Sequence, residues 1–244
     1  MDGTLHLGTS GFAYEEWRHG VFYPEGVTAS RMLSHYASVF GSVEINYTFR
    51  RFPSEATMRT WLAQTPESFR FALKANQRIT HSRRLQGVEP DLADFLARAR
   101  ELGVRLGPIL FQLPPNLAYD AALIEDFLTL LPTDVKAAME FRHPSWRASW
   151  DLLAARGIAR CVADTDEQPA VEAELCWAPF GYLRLRRAAY DRAGLEAWAQ
   201  RIGEALDGGA DVYCYFKHED SAAGPRFARA LEAVLVGKRT HREI

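Results

Sequence analysis

Eight short runs of apolar, β-branched or aromatic residues alternate with segments of helical period along the whole chain, and this alternation constrains the fold more than any other feature. The runs are Leu5–Thr9, Val43–Tyr47, Phe69–Ala75, Pro108–Leu113, Val135–Phe141, Ala159–Asp164, Gly181–Arg186 and Val212–Lys217. Between them lie Ala29–Phe40, Ser54–Gln64, Asp91–Leu102, Ala121–Leu131, Ser145–Arg156 and Leu195–Leu206, and Gly224–Leu235 follows the last run. The link Thr165–Ala178 is the weakest and is expected to hold at most a short helix. Gly103 and Gly157 sit where a helix C′ glycine belongs, and Ser54 and Ser145 adjoin proline as N-caps do. Strands that alternate with helices build a parallel sheet, either closed into a barrel or open and doubly wound.

Side-chain parity separates the two architectures. Central strands of an open parallel sheet are covered by helices on both faces and should be apolar on both. Here one parity stays apolar while the other turns polar toward the C-terminal end of each run. Val43 and Ile45 alternate with Glu44 and Asn46, Phe71 and Leu73 with Ala72 and Lys74, and Phe111 and Leu113 with Gln112. Met139 and Phe141 alternate with Glu140 and Arg142, Leu183 and Leu185 with Tyr182, Arg184 and Arg186, and Cys214 and Phe216 with Tyr213, Tyr215 and Lys217. In a closed barrel the apolar parity packs on the helices, and the other points inward, where the end of the lumen can be polar. The expected fold is a single-domain α/β (β/α)8 TIM-type barrel over residues 1–236, with a polar, frayed tail at Gly237–Ile244.

Length and composition agree with one such domain. Single α/β barrels fill about 250 residues, and this chain has 244, 48% hydrophobic and 25% charged. A net charge of −2 gives no global attraction to nucleic acid or membrane. The three cysteines, Cys161, Cys176 and Cys214, lack CxxC spacing, which disfavours a disulfide framework or a zinc cluster. No apolar run approaches the ~20 residues of a membrane span, and no signal-peptide pattern opens MDGTLHLGTSG, so a cytoplasmic protein is expected. GxxxxGK[ST], post-strand GxGxxG, HExxH and GxSxG are all missing, which removes P-loop, Rossmann, zincin and serine-hydrolase chemistry.

The polar parity collects Ser10, Glu44, Asn46, Lys74, Gln112, Glu140, Arg142, Asp164, Arg184, Arg186 and Lys217, with Tyr182, Tyr213 and Tyr215. His81, His143 and His218 lie in the loops just beyond. The carboxylates of Glu44, Glu140 and Asp164 face Lys74, Arg142, Arg184, Arg186 and Lys217, so this end is cationic although the chain is not. Such a ring suits a phosphate or carboxylate, and charge at this density is costly to bury unless it is paired or has a task. Glu140 fits a general acid/base, against a salt bridge to Arg142 or Arg184 that merely braces the barrel. For Glu44, the competing role is a partner for Asn46 or Lys74. Asp164 fits either a metal ligand or a helix N-cap, and His143 either a ligand contact or a cap. His81 fits a loop hydrogen bond equally well. Trp17 and Trp146 are expected in the core, and Cys161 and Cys214 fall on the helix-facing parity as inert packing. The sequon Asn46-Tyr47-Thr48 falls in an expected strand and has no weight as a glycosylation site. The glycines of GTSG at Gly8–Gly11 would let backbone N–H groups approach an anion, though four residues are a slender signal.

LGTSGFAYEEWR (Leu7–Arg18), SVEINYTFRRFP (Ser42–Pro53), FALKANQRITH (Phe71–His81), LGPILFQLPPN (Leu106–Asn116) and EFRHPSW (Glu140–Trp146) resemble the family catalogued as domain of unknown function 72, also called YecE-like. YLRLRRAAY (Tyr182–Tyr190) and VYCYFKHE (Val212–Glu219) continue the resemblance over nearly the whole chain. It implies a TIM-type barrel and no particular activity. Two places depart from the family pattern. Arg184-Leu185-Arg186-Arg187 stands for the usual Arg-Leu-His-Gly, and Phe216-Lys217-His218 for Phe-Asn-Asn. Both changes add positive charge at the strand ends.

Three functions follow as expectations. The first is an enzyme without a metal, acting on a small anionic or sugar-like molecule. In it Glu140, Glu44 and Asp164 supply acid/base groups, and Ser10, Asn46, Lys74, Gln112, Arg142, His143, Arg184, Arg186, Tyr215 and Lys217 bind the substrate. The second is a metal-dependent hydrolase or nuclease with Glu140, His143, Asp164 and His81 as ligands to a divalent cation. The neighbouring Lys and Arg oppose it. The third is a binding module for an anion or single-stranded nucleic acid, which the near-neutral net charge disfavours. No membrane partner is expected.

Overall fold

The computed structural model describes residues 2–170, 177, 179–217 and 222–242, the last five by their backbone. The strands are β1 (Leu5–Ser10), β2 (Ser42–Ile45), β3 (Arg70–Lys74), β4 (Leu106–Gln112), β5 (Ala137–Glu140), β6 (Ala159–Asp164), β7 (Gly181–Leu185) and β8 (Val212–Phe216). They follow one another in sequence order and close as a parallel barrel, with Leu5 of β1 beside Val212 of β8. Helices α1 (Met32–Ala37), α2 (Glu55–Gln64), α3 (Glu89–Ala99), α4 (Ala121–Thr129) and α5 (Trp150–Ala155) join β1 through β6, α6 (Arg192–Asp207) joins β7 to β8, and α7 (Ala223–Arg242) ends the chain. This is the α/β TIM-type barrel that alternation and parity lead one to expect. Much of the link expected to hold a short helix, residues 171–176 and 178, lies outside the described residues, as do Cys176 and His218.

The residues group into two compact units, Met1–Val43 with Val162–Ile244, and Glu44–Cys161. In the second, Phe71 of β3 stacks on Trp61 of α2 at 5.4 Å, and Phe111 of β4 meets Phe127 of α4 at 5.2 Å, so the apolar parity faces the helices. Each such buried ring contributes roughly 1.5–3 kcal/mol. In the first unit the opposite parity carries aromatic rings, with Tyr213 stacked on His6 at 4.3 Å and Tyr182 against Tyr215 at 5.5 Å. Trp17 and Trp146 are buried, as expected of core residues.

Several local expectations are corrected. The 3-10 turn Pro144–Ser149 is capped by His143, whose Nδ1 accepts from the Ser145 N–H at 3.3 Å, and not by Ser145. Proline at the first helical position puts the cap one residue before it, and Ser145 Oγ instead accepts the Tyr119 N–H at 2.8 Å. Ser54 does cap α2, and Gly157 follows α5 with φ +65°. Helix α7 runs through Gly237 to Arg242, past the expected end at Leu235, since one glycine costs a helix only about 1 kcal/mol. β2 stops at Ile45, so Asn46-Tyr47-Thr48 enters a 3-10 turn instead of continuing the strand.

The GTSG segment is shaped by packing. A Cβ on Gly8 would lie 1.9 Å from the Ser42 carbonyl oxygen, and the neighbouring Thr9 N–H is already given to the Tyr36 hydroxyl at 2.8 Å. That hydroxyl donates onward to the Ser42 carbonyl. Gly8→Ala is therefore expected to cost about 3 kcal/mol through forced backbone movement, read as a lower denaturation midpoint. An unchanged midpoint would show that the strands yield at this point.

Candidate functional site

Polar side chains gather at the C-terminal ends of strands in both units. In the unit Glu44–Cys161 the group begins with strand register. Gln112 and Glu140, the last residues of β4 and β5, stand directly across from each other, while Lys74 at the end of β3 pairs with Leu110. All three side chains occupy the inward parity and join in a chain. Lys74 Nζ donates to Gln112 Oε1 at 2.8 Å, and Gln112 Nε2 donates to Glu140 Oε1 at 2.7 Å. An ammonium can only donate and a carboxylate can only accept, so the amide has one orientation that serves both.

Around this chain the charges are graded by exposure. Glu140 is 2% exposed, and Arg142 reaches its Oε1 from a half-buried position at 3.5 Å, too long for a strong bond. The other oxygen, Oε2, faces the thiol of Cys161 at 3.9 Å. Glu44 is fully buried and accepts from Asn46 Nδ2 at 3.2 Å. The Lys74 ammonium lies 4.0 Å from the centre of the Phe49 ring, an attraction worth about 0.5–2 kcal/mol. The turn that carries Phe49 is tied to β3 by the Thr48 hydroxyl, which donates to the Lys74 carbonyl at 2.6 Å. His81 packs edge-on against Phe49 at 4.9 Å from a π-helical turn, Arg78–Ser82, and its Nδ1 shares a hydrogen bond with Thr80. Burial, then Lys74 and Arg142, push its pKa below 6.5, and only Glu140 opposes them.

Cys161 belongs to this group, contrary to the helix-facing position expected for it. The Arg160 guanidinium lies 3.6 Å from the centre of the Trp150 ring on α5, so Arg160 faces the helices and Cys161 the lumen. Cys214 does keep the helix side, where it is fully buried and its thiol pKa is pushed up by burial.

In the other unit Asp164 acts as a brace. Its carboxylate is buried and accepts from the Ala170 N–H at 2.8 Å, Arg187 Nε at 2.9 Å and the Tyr190 hydroxyl at 3.0 Å. It is neither a helix cap nor exposed to a ligand. Arg187, standing where the family pattern has glycine, is its ion-pair partner. Arg186 and Lys217 sit just past β7 and β8, where their N–H groups donate to the carbonyls of Asp164 and Leu185. Arg184 and Ser10 are buried at the ends of β7 and β1, and Tyr215 is buried with its hydroxyl 2.7 Å from Ser42 Oγ. His143 is occupied in its cap and bonded through Nδ1 to Ser145 Oγ. Among the described residues, no group of three or more His, Cys, Asp or Glu side chains could hold a metal ion. The set Glu140, His143, Asp164 and His81 is thus not brought together. No helix among these residues is long and apolar enough to cross a membrane.

A closed parallel α/β barrel with ionisable side chains at the C-terminal ends of its strands is the class of protein these features define. The family model for "Protein of unknown function DUF72" matches residues 6–243, and the chain belongs to that family. It is similar to the UPF0759 protein YunF of Bacillus subtilis (strain 168), 26% identical over 156 residues, a match covering 58% of this chain and 52% of that protein, about half its length. Among solved structures it resembles a DUF72 family protein from Thermotoga maritima MSB8 with TM-score 0.73 and 25% identity, covering 94% of this chain and 99% of the other. A DUF72 family protein from Enterococcus faecalis V583 shares the fold at TM-score 0.75 and 16% identity, with 96% of each chain covered.

Two measurements check this geometry. Asp164→Asn should cost about 2–3 kcal/mol, the worth of hydrogen bonds to a charged group, and a loss within experimental error would show that the brace is dispensable. The NMR titration of His81 should have its midpoint below 6.5, moving up in Lys74→Met and further down in Glu140→Gln. Because the unfolded chain then binds more protons than the folded one, His81 raises stability as pH rises through the interval between its folded midpoint and 6.5. His81→Gln should flatten that limb of the stability curve.

Proposed function

We propose that this protein is an enzyme whose acid/base group is Glu140, acting on a small molecule that carries a phosphate or carboxylate. The observation that supports it is the buried chain Lys74–Gln112–Glu140, with Arg142 beside it. Burying a carboxylate costs several kcal/mol unless it is paired or has a task, and Gln112 and Arg142 both stand against the same oxygen of Glu140. The 3.5 Å contact of Arg142 with Glu140 is longer than the 2.9 Å contact of Arg187 with Asp164, as suits a guanidinium that holds a substrate more than a brace. Lys74 and Arg142 would hold the anionic group of the substrate, and Glu140 would move the proton, with its orientation fixed by Gln112. Glu44 and Asn46 extend the polar floor toward a sugar-like hydroxyl. Asp164 has a structural role in this reading, because both of its oxygens are already engaged.

The test uses inorganic phosphate and citrate as probes in thermal unfolding. Millimolar probe should raise Tm of the wild type, the Lys74→Met variant should lose the rise, and Glu140→Gln should keep or enlarge it by removing a negative charge. Glu140→Gln should itself cost under about 1 kcal/mol in stability, within the usual range for a near-isosteric change with no structural duty. A Tm indifferent to both anions, or a Glu140→Gln variant destabilised by several kcal/mol, would return Glu140 to the role of a brace.

A further inference from the structure

We propose that Cys161 is a nucleophile of this site, attacking an electrophilic carbon on the same anionic molecule while Glu140 takes the thiol proton. The inference rests on the reading of Glu140 as the base and extends it to a covalent step.

Three observations meet at this thiol. Cys161 occupies the inward parity of β6, opposite Arg160, which is fixed on the helix side by Trp150. It is partly open to solvent, unlike the other described cysteine, Cys214, which is buried among the helices. Its Sγ lies 3.9 Å from Glu140 Oε2, while Oε1 is held by Gln112 and approached by Arg142. The second oxygen of the carboxylate is thereby turned toward the sulfur. Nucleophile, base and a third group that orients the base form the arrangement by which enzymes activate side chains that are weak nucleophiles when free. A carboxylate beside a thiol disfavours the resting thiolate, so the proton leaves as the bond forms.

In the step itself, the Sγ–C bond forms and the bond from that carbon to its leaving group breaks. The leaving group departs with the electron pair, and the thiol proton passes to Glu140 Oε2. No oxidant or reductant is needed. Lys74 and Arg142 would hold the carboxylate or phosphate of the attacked molecule, which selects anionic electrophiles over neutral ones of equal size.

Iodoacetate and iodoacetamide test this directly, since both alkylate sulfur with loss of iodide and differ chiefly in charge. Adducts are assigned to individual cysteines by peptide mass mapping, with Cys161→Ser as control and an unmodified Cys214 as proof that the protein stays folded. The iodoacetate-to-iodoacetamide rate ratio at Cys161 should exceed that of the urea-unfolded chain by about tenfold, the effect of ~1.4 kcal/mol. Lys74→Met should bring the ratio down to the unfolded value. Glu140→Gln should slow both reagents by about 100-fold, the lower range of general-base assistance. If Cys161 in the folded wild type reacts no faster than cysteines of the unfolded chain, or if Glu140→Gln leaves its rate unchanged, the nucleophile assignment fails, whatever phosphate does to Tm. If Cys161 is fast and depends on Glu140 but shows no preference for iodoacetate, the nucleophile stands and the anion site is refuted.

Discussion

Closing a parallel sheet on itself commits every second residue of every strand to an interior that no helix can reach. The two-residue period of a strand leaves no intermediate choice, so one parity must match the helices while the other fills a lumen. Phe71 on Trp61 and Phe111 on Phe127 show the first half of that division. Lys74, Gln112 and Glu140 at the strand ends show the second. Polar side chains are tolerated there because adjacent strands deliver partners at fixed spacing. The register that sets Gln112 across from Glu140 is also what makes a 2.7 Å bond between them available without distorting either strand.

Within that frame the two carboxylates that the sequence brings forward most strongly have opposite fates. Asp164 is surrounded by donors, including an arginine, a tyrosine hydroxyl and a backbone N–H, and both of its oxygens are in use. Glu140 is as deeply buried, with Gln112 on one oxygen and the thiol of Cys161 3.9 Å from the other. Burial alone therefore separates nothing at these strand ends; what differs is the kind of group that stands against each carboxylate.

The barrel is legible in the sequence because one parity of VEIN, FALK, ILFQ and AMEF is apolar throughout while the other turns polar toward the strand end, and hydropathy on one parity is enough to orient a strand. ARCVAD offered no such contrast. The polarity of Asp164 at its end reflects service to the β6–β7 link and to Arg187. The lumen side of Cys161 shows in tertiary contacts, Arg160 over Trp150 and the thiol beside Glu140. A cationic side chain over an indole is a tertiary fact with no spacing signal in one sequence. His143 shows a similar limit. A histidine before proline is compatible with both a ligand contact and a cap, and the decision lies in whether its ring turns back on the N–H of Ser145.

Lys74 carries a consequence of a different kind. A free lysine side chain surrenders roughly 2 kcal/mol of rotamer freedom when it is immobilised, and a lysine recruited only on binding gives up that freedom at the expense of affinity. Here the ammonium is already bounded on one side by the Phe49 ring and on another by Gln112 Oε1 before anything arrives. Folding has absorbed the loss of freedom. An anion that met this ammonium would find it aimed, and its association would gain in speed and selectivity from a side chain that elsewhere would have to be caught in motion.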